Sequence, residues 1–178
     1  MPVVRFFGSG LLLGAVLVAF VGGALGALPQ ALVPASMRWG LFGLASVAVL
    51  GREVGLWRFR VPENARLVPE DVQHLREWGA LQFGFEMGTG VRTYSPSALP
   101  HLALAAIVLV VPFPAAFALA AGFAAGRLAM PLMSNGWSDD GSWTEVWTRH
   151  EKVVRPLFAA VCVGALTAPV LLPGMLGA

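Results

Sequence analysis

Glu86 is a carboxylate set well inside an apolar run, and it has polar company at helical spacing. Gln82, Glu86, Thr89 and Thr93 follow i, i+4, i+7 and i+11, so on a helix all four share one face. Phe83, Phe85, Met87 and Val91 take the opposite face. Arg92, Ser97 and His101 come next, around a stretch interrupted by Gly88, Gly90, Pro96 and Pro100. In a bilayer, a mid-helix acid costs about 2.5–3.5 kcal/mol to insert, so a cation such as Arg92 or Arg52, or a bound proton, must offset it. Arg92 sits six positions past Glu86 and cannot stack on it in a regular helix. The two can pair only across the break or through another helix. The chemistry these types offer is the binding of an ion or polar solute at a broken helix, near the membrane midplane. The candidate substrate or ion site is therefore Gln82, Glu86, Thr89, Arg92, Thr93, Ser97 and His101. The alternative is a hydrogen-bonded stripe that only holds helices in register.

Other chemistry is poorly supplied. His74, His101 and His150 are far apart, with no pair at ligand spacing, so no metal site is expected. No phosphate-binding glycine loop or nucleophile elbow is present, and the pattern points to neither an enzyme nor a bound cofactor. The single cysteine, Cys162, has no partner in the chain for a disulfide. In its apolar run it reads as a small buried hydrophobe.

These residues must be positioned by helices that live in lipid. The chain has 178 residues, 57% hydrophobic and only 12% charged, with a mean hydropathy of +0.72. Soluble domains carry about 25% charged residues, so the composition predicts an all-α, polytopic transmembrane bundle in one integral membrane domain. A pI near 9.3 rests on a net charge of only +2. The arginines flank apolar runs, which fits membrane orientation and not nucleic acid.

Five spans are expected, over residues 9–33, 37–57, 78–111 (broken), 115–133 and 153–172, with polar loops at 58–77 and 134–152. The first run is longer than the 7–15 residues of a signal core, and a retained helix is the better reading. Gly10/Gly14, Gly22/Gly26 and Gly122/Gly126 are spaced for close helix contact, within the chain or in a homo-oligomer. Arg52 and Glu53 end the second span and read as side chains snorkelling to the interface, or else as partners of the site. Ser142 with Glu145 fits a capping box, opening a short interfacial helix that carries Trp143 and Trp147.

If residues 78–111 cross once, both arginine-bearing loops share a face with the N-terminus. That face then holds Arg5, Arg58, Arg60, Arg66, Arg76, Arg149, Lys152 and Arg155, against Arg38 opposite. The positive-inside rule places it in the cytoplasm of a multi-pass cell-membrane protein.

TYSPSALPHLALA, residues 93–105, resembles the broken-helix motif of the cytochrome c biogenesis and DsbD-type transmembrane electron carriers. In that family a glycine-rich run leads into Ser-Pro-Cys-x-x-Pro and continues as a helix. GFAAGRLAMPLM, residues 122–133, is similar to a later helix of the family. The resemblance covers roughly residues 83–133. Ser97 stands where the family has its redox cysteine. Thiol–disulfide exchange needs two sulfurs, so the resemblance implies the scaffold and not electron transfer by this chain alone. Three functions follow: a small transporter-like protein with a midplane site at the break, an accessory or assembly subunit of a membrane complex, or a thiol-redox component completed by a partner protein.

Overall fold

A computed structural model describes residues 2–61, 76–90, 97–137 and 142–171. Those residues are mostly helical, with no strand among them. In chain order the helices are α1 (Pro2–Leu32), α2 (Ala35–Glu53), α3 (Arg76–Gly88), α4 (Leu99–Leu109), α5 (Phe113–Trp137) and α6 (Ser142–Leu171). By length and composition, two stretches are long and apolar enough to cross a membrane, Pro2–Leu32 and Phe113–Met133.

The boundaries depart from the sequence reading in several places, and α5 runs to Trp137 instead of stopping at Met133, taking the first residues of the expected 134–152 loop. α1 starts at Pro2, because MPVVRFFG carries no helix breaker beyond the proline tolerated in a first turn. α2 stops at Glu53 and not at Trp57. Gly55 adopts φ +87, its N–H bonds Arg52 O, and the Leu56 N–H reaches back to Gly51 O at 2.8 Å. That pair of bonds is a Schellman closure, which favours glycine at the left-handed position. α5 opens inside Pro112-Phe113-Pro114, since proline suits a first turn. Finally, α6 begins at Ser142, as the capping box suggests, but runs on unbroken to Leu171. The separate interfacial helix and last span are one element.

Contacts along α1 give the direction of each neighbour. Phe6 meets Trp78 and Phe7 meets Phe83 ring to ring, while Gly14 lies against Phe85 and Gly88. Further along, Gly22 faces Leu104 and Ile107, and Gly26 faces Val108. α3 and α4 therefore run one after the other along α1, both in its direction. α5 runs the opposite way, with Phe113 beside Phe20 and Leu128 beside Gly8. α2 is antiparallel to α4, with Glu53 at the start of α4 and Arg38 at its end.

Two cores result. One packs Leu11, Ala15 and Ala19 of α1 against Ile107 and Ala116, Ala120 and Ala124 of α5. The other packs Phe42 and Val49 of α2 against Ala98, Leu102 and Ala106, with Val163 and Leu166 of α6 alongside. α4 belongs to both and is the shared wall between them.

Glycines set the α1–α3 distance. A Cβ added at Gly84 would fall on Phe7 O, and one at Gly88 on Leu11 O; Gly10 and Gly14 would meet Leu81 O and Phe85 O in the same way. Only backbones without Cβ atoms can approach so closely. The Gly10/Gly14 and Gly22/Gly26 faces are thus used inside the chain. Gly122 and Gly126 have nothing within 4 Å among the described residues.

Candidate functional site

The glycine contact decides how the polar stripe on α3 is turned. Because Gly79, Gly84 and Gly88 are the residues buried there, the stripe is rotated off the packed side. Gln82 is exposed, and Glu86 and Thr89 are half-buried. Thr89 Oγ1 donates to its own helix at Glu86 O, 2.7 Å away. The Glu86 carboxylate makes no hydrogen bond or ion pair among the described residues. Arg92 and Thr93 lie outside them, as do His74 and residues 62–75 of the first polar loop.

Thr89 and His101 do come together. Both line a small apolar cavity of about 40 Å³ between α1, α3, α4 and α5, with Ala15, Gly90 and Phe123. Its size suits a water molecule or two and not a solute. Arg127 lies with its guanidinium 5.4 Å from the centre of the Phe123 ring. Cys162 is half-buried in α6.

The carboxylate that meets the break is Glu53. Its side chain is only 2% exposed. Glu53 Oε1 accepts from Ser97 Oγ at 3.0 Å and from the Ala98 N–H at 2.9 Å, just where α4 begins. Ser97 Oγ in turn accepts the Leu99 N–H at 3.1 Å. An acid at a helix N-terminus satisfies an orphan donor and opposes the helix dipole. Arg155 Nε stands 3.6 Å from Glu53 Oε2, and Arg52 Nη1 3.5 Å from Oε1. Arg155 also holds Glu151 at 2.7 Å, one turn earlier on α6. Snorkelling is therefore the wrong account of Glu53: its charge turns inward because the α4 N-terminus and Arg155 supply what water would.

The other end of α4 is held by side chains as well. Arg38 Nη1 donates to Leu109 O at 2.8 Å, while its Nε donates to Val33 O. Gln30 Nε2 donates to Ile107 O, Val108 O and Val111 O. α2 thus brings a carboxylate to the start of α4 and a guanidinium to its end, the arrangement a short helix dipole favours.

Outside Glu53, between α2 and α6, lies an open cleft of about 420 Å³. Its walls are Arg52, Arg58, Arg60 and Arg155, with Trp57 and Phe59. Arg52 is anchored there, Nε to Phe59 O at 3.2 Å and its guanidinium 5.7 Å from the Phe59 ring centre. Trp57 folds back over Gly51, whose missing Cβ leaves room for the indole.

Of the residues singled out from sequence, Ser97 is in this junction and His101 is one helical turn on. Glu53, Arg52 and Arg155 carry the charge. The sequence signal for them was faint: an Arg-Glu doublet at the end of an apolar helix, and an arginine inside the last apolar run. Among known proteins, the chain matches no family model, no curated sequence and no solved structure.

Proposed function

We propose that the chain is a multi-pass membrane protein with a transporter-like site at its helix break, centred on Glu53 and Ser97 and not on Glu86. The observation that carries this reading is the arginine-walled cleft leading to a buried carboxylate seated on the first turn of α4. Half-helix termini at a break are where transporters of unrelated sequence bind their substrates. Five crossings fit the helix directions: α3 and α4 together make one passage along α1, with α2 and α5 running back and α6 returning.

The arginines favour an anion as the solute. The test is flux of a panel of inorganic and organic anions into proteoliposomes of the full chain. The wild type is expected to exceed empty vesicles for at least one anion. Glu53→Gln keeps an oxygen that can accept from Ser97 and Ala98 but removes the charge, and should change the rate or the selectivity in a folded protein.

One observation favours a second reading, that of an accessory subunit. Every partner of Glu53 named above is in this chain, so the junction also serves as an internal lock joining α2, α4 and α6. On that reading no anion moves, and Glu53→Gln acts on assembly alone. The redox reading needs a second sulfur from a partner protein, since Cys162 is the chain's one cysteine.

A further inference from the structure

The cleft between α2 and α6 has the donors, charge and size for one class of anion. Its lining holds four arginines and one acid, Glu53. The acid is already engaged by Arg52 and Arg155. Arg58 and Arg60, on the extended chain that leaves α2, form no ion pair or hydrogen bond among the described residues. Arg155 is also paired with Glu151, so Arg52 and Arg155 are balanced by two acids, and Arg58 and Arg60 leave two positive charges unanswered among the described residues. Guanidinium forks match the oxygens of phosphate and carboxylate alike. A single carboxylate, however, would answer one charge, whereas phosphate carries about −1.5 to −2 near neutrality and spreads it over three oxygens. The volume of about 420 Å³ falls in the range of small-molecule sites, and is larger than a lone halide needs. Trp57 and Phe59 add apolar faces beside the charges, suited to the organic part of a phosphate ester.

We infer that this cleft binds a phosphate-type oxyanion, held by Arg58 and Arg60 over the Arg52–Glu53–Arg155 floor. The inference rests on reading the cleft as the anion site proposed above and names its ligand class. The phosphate can come from a soluble compound or from a phospholipid headgroup reaching in from the side. Both present the same oxygens.

The experiment uses the full chain in dodecyl maltoside, a detergent without phosphate. In one arm inorganic phosphate is titrated by calorimetry and its effect on the melting temperature is recorded. In the other, phosphatidylglycerol is added to the micelles and the melting temperature is compared. Binding of inorganic phosphate supports a soluble source, and a higher melting temperature with phosphatidylglycerol supports a headgroup. In either case Arg58→Gln/Arg60→Gln, at exposed positions, should melt like the wild type without ligand and lose about tenfold or more in affinity, or the lipid-dependent shift. A wild type that responds in neither arm overturns the inference without reference to any variant. So does a response that the double variant retains in full. Phosphate binding without anion flux would count against transport alone. Flux of some other anion without phosphate binding would count against this inference alone.

Discussion

Glu53 shows how a charge inside an apolar bundle is kept, and what its removal should do. Its carboxylate answers an N–H, a hydroxyl and two guanidiniums at once. Breaking a buried ion pair by deleting one partner costs about 3–5 kcal/mol, but Arg155 is 30% exposed and water screens part of that. Glu53→Ala should therefore destabilise by less than that range and by clearly more than Glu53→Gln, which retains an acceptor. Ser97→Ala removes the hydroxyl's bonds to Glu53 and from the Leu99 N–H and should cost about 1–3 kcal/mol. Reversible denaturant unfolding in mild detergent, read by helical circular dichroism, orders the three. Equal stability of all three with the wild type would mean that the junction is not a lock. Glu86→Gln should be nearly silent in the same assay, because Glu86 is half-buried and has no ionic partner among the described residues. The sequence pointed to Glu86, since a carboxylate amid apolar neighbours is visible in one dimension. Glu53 was harder to read, because Ser97 lies 44 positions away and helix periodicity says nothing about which helices touch.

At the scale of elements, glycine spacing was legible but its use was not. Of the three pairs singled out from the sequence, the two on α1 pack against a neighbouring helix and Gly122/Gly126 does not, while Gly84/Gly88 on α3, not singled out, meets the backbone of α1. Gly14→Ala and Gly84→Ala would place a methyl against a carbonyl oxygen of the facing helix. A backbone cannot step aside as a flexible side chain can, so a loss of about 1–3 kcal/mol or more is expected. Gly122→Ala and Gly126→Ala meet open space and should be neutral or slightly stabilising, given the better helix propensity of alanine. Thermal unfolding of the four single variants tests the contrast, and equal losses at all four positions would contradict the packing of α1 on α3. The start of α4 was readable from Pro100, which suits a first turn, and the start of α6 from Ser142 and Glu145, whereas the end of α3 at Gly88 comes earlier than the expected break at 95–100. The end of α2 required knowing that Gly55 takes a left-handed conformation. A glycine in a sequence rich in glycine does not announce that. The continuity of α6 was hidden because its first half is polar and its second apolar, a change of environment that resembles a change of element.

For the whole molecule, helix direction bears on the count of crossings. α3 lies beside the first half of α1 and α4 beside its second, both in its direction, which supports the proposed single passage. With α2 and α5 antiparallel to α1, both helices end toward the end at which α1 begins. That end carries Arg5, Arg58, Arg60, Arg76 and Arg149 among the described residues. Arg38 was the one cation assigned to the other face. It donates to Leu109 O and Val33 O, so helix capping accounts for it without any part in orientation. The charge asymmetry is sharper once it is set aside, and the positive-inside rule then predicts a cytoplasmic N-terminus. Single cysteines at Asn64 and Asp140, in a Cys162→Ala background, should both react with an impermeant maleimide only from the cytoplasmic side of oriented vesicles. Six separate crossings would put the two positions on opposite sides. Labelling from opposite sides would therefore reject the single broken passage, and with it the cleft as a way in from the cytoplasm to Glu53.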